Sequence, residues 1–158
     1  MSSDDAVSGA EPGPDGLAGR PSRARYDRVR TALDRKWRRR EPQPERMLRE
    51  LVDALWDAFE GGAWTWCGVW LVGPDGRALT PGRALPAAAP AVPSSGPLVD
   101  ALAATSAVRA PGAIAVPVVD KDGRVWAALE VKSSSDFDEM DARWLERLVK
   151  TFRSPGPA

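Results

Sequence analysis

Histidine is missing from this chain altogether, and cysteine occurs once, as Cys67. Without histidine there is no imidazole triad, no imidazole proton shuttle and no ordinary zinc site. A lone thiol has no internal disulfide partner and no second thiol to resolve it once oxidised. The sequence has no run of about 18 uncharged apolar residues, which a membrane span would need. It also has no basic-then-apolar leader. A soluble cytoplasmic chain without a membrane partner is therefore expected. Neither Gly61-Gly62 nor Gly73-Pro74-Asp75-Gly76 has the spacing of a phosphate loop or a dinucleotide fingerprint. No cofactor is expected.

What is present reads as one domain. The chain has 158 residues, 43% apolar and 28% charged, enough for a single core of ordinary size. Formal charge is zero but unevenly spread: residues 1–19 carry −4, residues 20–50 carry +7 and residues 51–158 carry −3. Residues 1–22, rich in Gly, Pro, Ser and Asp, are expected to be a disordered acidic tail, because they bury too little to offset their ordering entropy. Residues 23–41 read as a basic helix with Tyr26, Val29, Leu33 and Trp37 at spacings of three and four.

The domain proper should span 42–153, with 154–158 a disordered tail. Pro44 suits the first turn of a helix carrying Met47, Leu48, Leu51, Val52, Leu55, Trp56 and Phe59, stopped by Gly61-Gly62. Trp64–Val72 is apolar on both faces and reads as a covered strand. A short strand at Arg77–Leu79 should pair back through the Gly73–Gly76 turn, with 81–97 an irregular loop. A short helix near 97–106 carries Leu98, Val99 and Leu102. Strands at Ala113–Val119 and Arg124–Lys132 follow, and then a helix from about Asp138 with the stripe Trp144, Leu145, Leu148, Val149 and Phe152. This order predicts an α+β fold, an antiparallel sheet with the N- and C-terminal helices packed on one face.

Three runs then resemble the C-terminal half of GAF domains, in particular the free methionine-R-sulfoxide reductases. They are Ala113-Ile-Ala-Val-Pro-Val-Val119, Asp122-Gly-Arg-Val-Trp-Ala-Ala-Leu-Glu-Val-Lys-Ser133, and Phe137-Asp-Glu-Met-Asp141 followed by Trp144-Leu-Glu-Arg-Leu148. Trp66-Cys-Gly-Val-Trp-Leu71 is similar to that family's first strand. The resemblance covers roughly residues 44–153 and implies a GAF-like fold. It also implies reduction by thiols in the middle loop, but no cysteine lies between Leu79 and Pro111. The carboxylates that hold substrate in that family fall at Ala113, Glu130 and Lys132, where a single acid survives. Sulfoxide reduction needs an attacking thiolate and a resolving thiol. Cys67 reads instead as an apolar strand residue on the helix-facing side.

By strand parity and the resemblance, Trp66, Trp70, Trp126, Glu130 and Lys132 share the ligand face of the sheet. Aromatic walls with converging charges suit a small polar or zwitterionic ligand. The same indoles could instead fill the pocket themselves, and both readings stay open. The expected function is a non-catalytic sensory, ligand-binding or dimerising module that signals through a separate partner. A methionine sulfoxide reductase is the alternative. A nucleic-acid-associated protein using the basic N-terminal helix, the segment Arg20–Arg40 that ends in Lys36–Arg40, is the second, but no nucleic-acid-binding motif accompanies those residues. A homodimer through the terminal helices, with the Tyr26–Trp37 seam as contact, is the expected assembly.

Overall fold

A computed structural model describes residues 15–38, 43–89 and 91–150, with side chains from residue 23 onward. The helix α1 (Asp15–Trp37) is followed by α2 (Pro44–Phe59) and by the strands β1 (Trp64–Val72) and β2 (Leu79–Leu85). Then come α3 (Pro97–Ala104), β3 (Val108–Ala110), β4 (Ala113–Val119), β5 (Val125–Ser133) and α4 (Glu139–Lys150). The strands form one antiparallel sheet in the order β2-β1-β5-β4-β3. The α+β architecture expected from the sequence is the one found.

Each helix has a local reason to be where it is. Pro44 opens α2, and the apolar stripe Met47, Leu48, Leu51, Val52, Leu55 and Phe59 is buried. The turn closes as the Glu60 N–H donates to the Trp56 carbonyl and Gly61 takes a positive φ of 83°. The start of α4 is a reciprocal cap. The Asp141 N–H donates to Asp138 Oδ1 and the Asp138 N–H to Asp141 Oδ2, both at 2.9 Å. Acids in the first turn and Arg147 and Lys150 in the last complement the helix dipole.

One continuous core lies between the helices α1, α2 and α4 and one face of the sheet. Tyr26, Val29, Leu33, Leu51, Leu55, Cys67, Val69, Leu129, Val131, Leu145 and Leu148 all belong to it. Aromatic rings knit it together. Phe59 stacks on Trp64 at 4.1 Å between centroids, and Tyr26 contacts Phe59 at 4.7 Å and Trp144 at 5.9 Å. The opposite face is covered by α3, whose Leu98 and Ala101 are buried against Trp70, Ala115 and Ala128.

Four expectations need correction. The helix α1 begins at Asp15, not Arg23: turns docked through Tyr26, Val29 and Leu33 remove the nucleation cost, so the helix propagates back through residues 15–22. The disorder expected for 1–14 lies outside the described residues, as does the tail 154–158. The seam offered for a dimer, Tyr26, Val29 and Leu33, is buried within a single chain, and Trp37 packs against the same core. A dimer through the terminal helices would have to use their outer faces. Next, β2 runs through part of the segment expected to be irregular. Pro81 is tolerated there because β2 is an edge strand whose outward side needs no N–H. Gly82 allows the close approach to β1, since a Cβ there would sit 2.9 Å from Val69 Cγ2. Finally, the short edge strand β3 was not anticipated.

Candidate functional site

The sheet face beneath α3 carries most of the residues singled out from the sequence. Antiparallel pairing places Trp66 opposite Lys132, Gly68 opposite Glu130 and Trp70 opposite Ala128. On the other side of β5, Ala113 is in register with Lys132 and Ala115 with Glu130. The positions at Ala113, Glu130 and Lys132 therefore lie together on neighbouring strands.

These residues form two layers. The inner one is closed: Trp70 is 1% exposed and Glu130 5%. The indole Nε1–H of Trp70 donates to Glu130 Oε1 at 3.0 Å. A buried carboxylate is costly without a partner, and the indole supplies one. The side chains of Leu98 and Ala101 from α3 pack on Trp70 from above. In this inner layer the indole fills the space.

The outer layer is open to solvent. Trp66 is half-buried, and its Nε1–H donates to the Ala87 carbonyl at 2.9 Å, tying the ring to the segment after β2. The exposed Lys132 holds its ammonium 5.3 Å from the centre of that ring, a cation–π contact between cross-strand partners. The ring reaches over residue 68 because that residue is glycine: a Cβ there would come within 2.5 Å of Trp66 Cη2 and 2.9 Å of the Ala84 Cβ. Gly68 and the Ala87 carbonyl were missed in the sequence. The glycine between two tryptophans was the one available sign, since a strand glycine often marks a close approach.

Trp126 does not join this group. The ladder between β4 and β5 shifts register between Val118 and Val119, next to Trp126. Such an irregularity re-aims the side chain at the bulged position. The indole packs with the cluster beneath the helices and not with Trp70, and its buried Nε1–H finds no acceptor among the described residues.

Cys67 is 0% exposed and sits on the helix-facing side of β1, in register with Val131 and Leu85. Burial, with a smaller push from the Asp53 carboxylate, raises its thiol well above the ordinary range. It is a core side chain on the sheet face opposite Glu130. Among the described residues, no group of His, Cys, Asp and Glu side chains could hold a metal ion, and no helix is long and apolar enough to cross a membrane.

No family model matches the chain, and no curated protein does. Solved structures do match. A structure of the GAF domain superposes with a TM-score of 0.71 at 15% identity, covering 81% of this chain and 85% of the other. The free methionine-R-sulfoxide reductase from Neisseria meningitidis, in complex with its substrate, gives 0.64 at 24% identity, over 81% and 83%. The GAF domain of an Acinetobacter phosphoenolpyruvate-protein phosphotransferase gives 0.60 at 14% identity, over 81% and 87%. This chain has the fold shared by GAF domains and the free methionine-R-sulfoxide reductases.

Proposed function

We propose that the chain is a non-catalytic GAF-like module that binds a small polar molecule at the outer layer formed by Trp66 and Lys132, with Glu130 as its inner wall. The observation that carries this reading is the placement of Cys67. The chain's sole sulfur is fully buried on the face of the sheet away from Glu130 and Lys132. A thiolate has to form and reach its target before it can attack. The half-buried ring and exposed ammonium, by contrast, offer an aromatic face and a charge to a ligand with a carboxylate or other acceptor.

A thermal-shift screen over amino acids, their sulfoxides, purines and cyclic nucleotides tests the binding reading. A ligand at 100 times its Kd should add about 2.7 kcal/mol of stability, and Trp66→Ala should abolish the gain. The likeness to a sulfoxide reductase makes the enzyme the second reading. Thiol-dependent loss of free methionine sulfoxide, abolished by Cys67→Ser, would decide for it.

A further inference from the structure

We infer that the groove between α1 and α4 is a binding site for a small phosphate-bearing molecule. This is independent of the ligand reading above, because it lies on the helical side of the sheet. The groove is open to solvent, has a volume of about 510 Å³ and is lined by Arg23, Ala24, Asp27 and Arg30 from α1 and by Trp144 and Arg147 from α4. Three guanidiniums thus face one carboxylate, a local excess of two positive charges. A phosphate monoester or pyrophosphate group matches that excess.

The guanidiniums are not equivalent. Arg30 is held by Asp27, with Nη2 3.1 Å from Oδ1. Neither Arg23 nor Arg147 has a carboxylate partner among the described residues. Arg147 is instead stacked on Trp144, its Cζ 4.8 Å from the ring centre. That indole is also stacked on Tyr26, with centroids 5.9 Å apart and an 11° tilt, so the ring beside Arg147 is held by the core. Stacking occupies the face of a guanidinium and leaves its N–H fork at the edge. Such a fork, already oriented, matches two oxygens of a phosphate. Arg23 supplies the second cation from the opposite wall.

The shape favours a small molecule over a nucleic acid. The volume falls in the range of small-ligand sites, roughly 300–1,000 Å³. A nucleic-acid backbone needs a run of cations along its length. The neighbouring arginines of α1, Arg28 and Arg35, line a different groove, against α2, where Asp57 also sits. The basic stripe is therefore split between two grooves; Asp27 lines both, and Asp57 adds a second carboxylate to the one against α2.

Calorimetric titration of the full chain with inorganic pyrophosphate at low ionic strength tests the assignment. The expected result is saturable one-to-one binding, weakened by about tenfold or more in Arg23→Gln/Arg147→Gln, a loss of about 1.4 kcal/mol per tenfold. Arg147→Lys, which keeps the charge but loses the fork, should also weaken it. Arg83→Gln, a control on β2, should bind as the parent does. Thermal unfolding of each variant checks that the exposed substitutions leave the fold intact. Absence of saturable heat up to millimolar pyrophosphate would overturn the site. So would equal weakening in Arg83→Gln, or a short DNA duplex binding more tightly than pyrophosphate.

Discussion

Two buried indoles, alike in the sequence, carry opposite consequences. The Trp70 N–H satisfies a buried carboxylate, while the Trp126 N–H has no acceptor among the described residues. Replacing either with phenylalanine removes the same atoms, so packing losses are comparable and the hydrogen bond makes the difference. Trp70→Phe strands the Glu130 carboxylate, and an unsatisfied buried group costs about 1–3 kcal/mol, more when charged. Urea unfolding should find Trp70→Phe less stable than Trp126→Phe by about 2 kcal/mol. Trp70→Phe combined with Glu130→Leu should recover much of the loss, because removing both partners leaves nothing unpaired. Equal stabilities for the two single variants would mean that the Trp70–Glu130 bond contributes nothing. Tyr26, the chain's sole tyrosine, makes a second test. Its hydroxyl donates to Asp141 Oδ1 at 2.8 Å, and burial, reinforced by the Asp141 carboxylate, raises its pKa well above 10.0. Its stabilisation is therefore fully present below pH 10 and is lost as pH rises through that value towards the folded one. Tyr26→Phe should be less stable at neutral pH, by about 1 kcal/mol for the lost bond, but should lose stability less steeply above pH 10. Parallel slopes in urea midpoints against pH would contradict this.

The elements differ in how far their residues announced them. The amphipathic stripes of α2 and α4 and the parity of β5 state their faces directly, because each pattern follows the geometry of its element. The outer-layer pair Trp66 and Lys132 could be placed for the same reason. The position of Trp126 could not, since a register shift is set by pairing with another strand and leaves no mark in the residue order. Likewise the prolines and alanines of residues 81–97 read as a loop, and only the place of β2 at the sheet edge makes Pro81 acceptable in a strand. The largest difference concerns α1, whose basic composition and narrow apolar seam read as a dimerisation arm. Its Tyr26, Val29 and Leu33 are instead core residues, and Tyr26 bonds to Asp141, the first-turn member of the reciprocal cap of α4. Deleting residues 1–38 should therefore uncover Phe59, Trp64 and Trp144. The shortened chain should bind a hydrophobic dye and lose cooperative unfolding. A truncated chain that melts sharply near the parent's temperature would restore α1 to the status of an accessory.

At the scale of the whole molecule, the two faces of the sheet separate two kinds of chemistry. The face under α1, α2 and α4 is a sealed apolar core that contains the sole thiol, and the other ends in an aromatic ring and an ammonium at the surface. Cys67 lies on β1, bonded to β2 on one side and β5 on the other, so its exposure requires the sheet to come apart. Its modification by a disulfide reagent should then report global opening. Labelling should be slow without denaturant, and the urea dependence of the opening free energy it gives should match the m-value of equilibrium unfolding. Burial that raises the thiol pKa slows the reaction further, since the thiolate is the reactive form. Fast labelling with little dependence on urea would mean that β1 opens locally and brings the thiol to solvent in the native state. That result would remove the main support for a non-catalytic module, and it would justify assaying the protein for sulfoxide reduction before any ligand is sought.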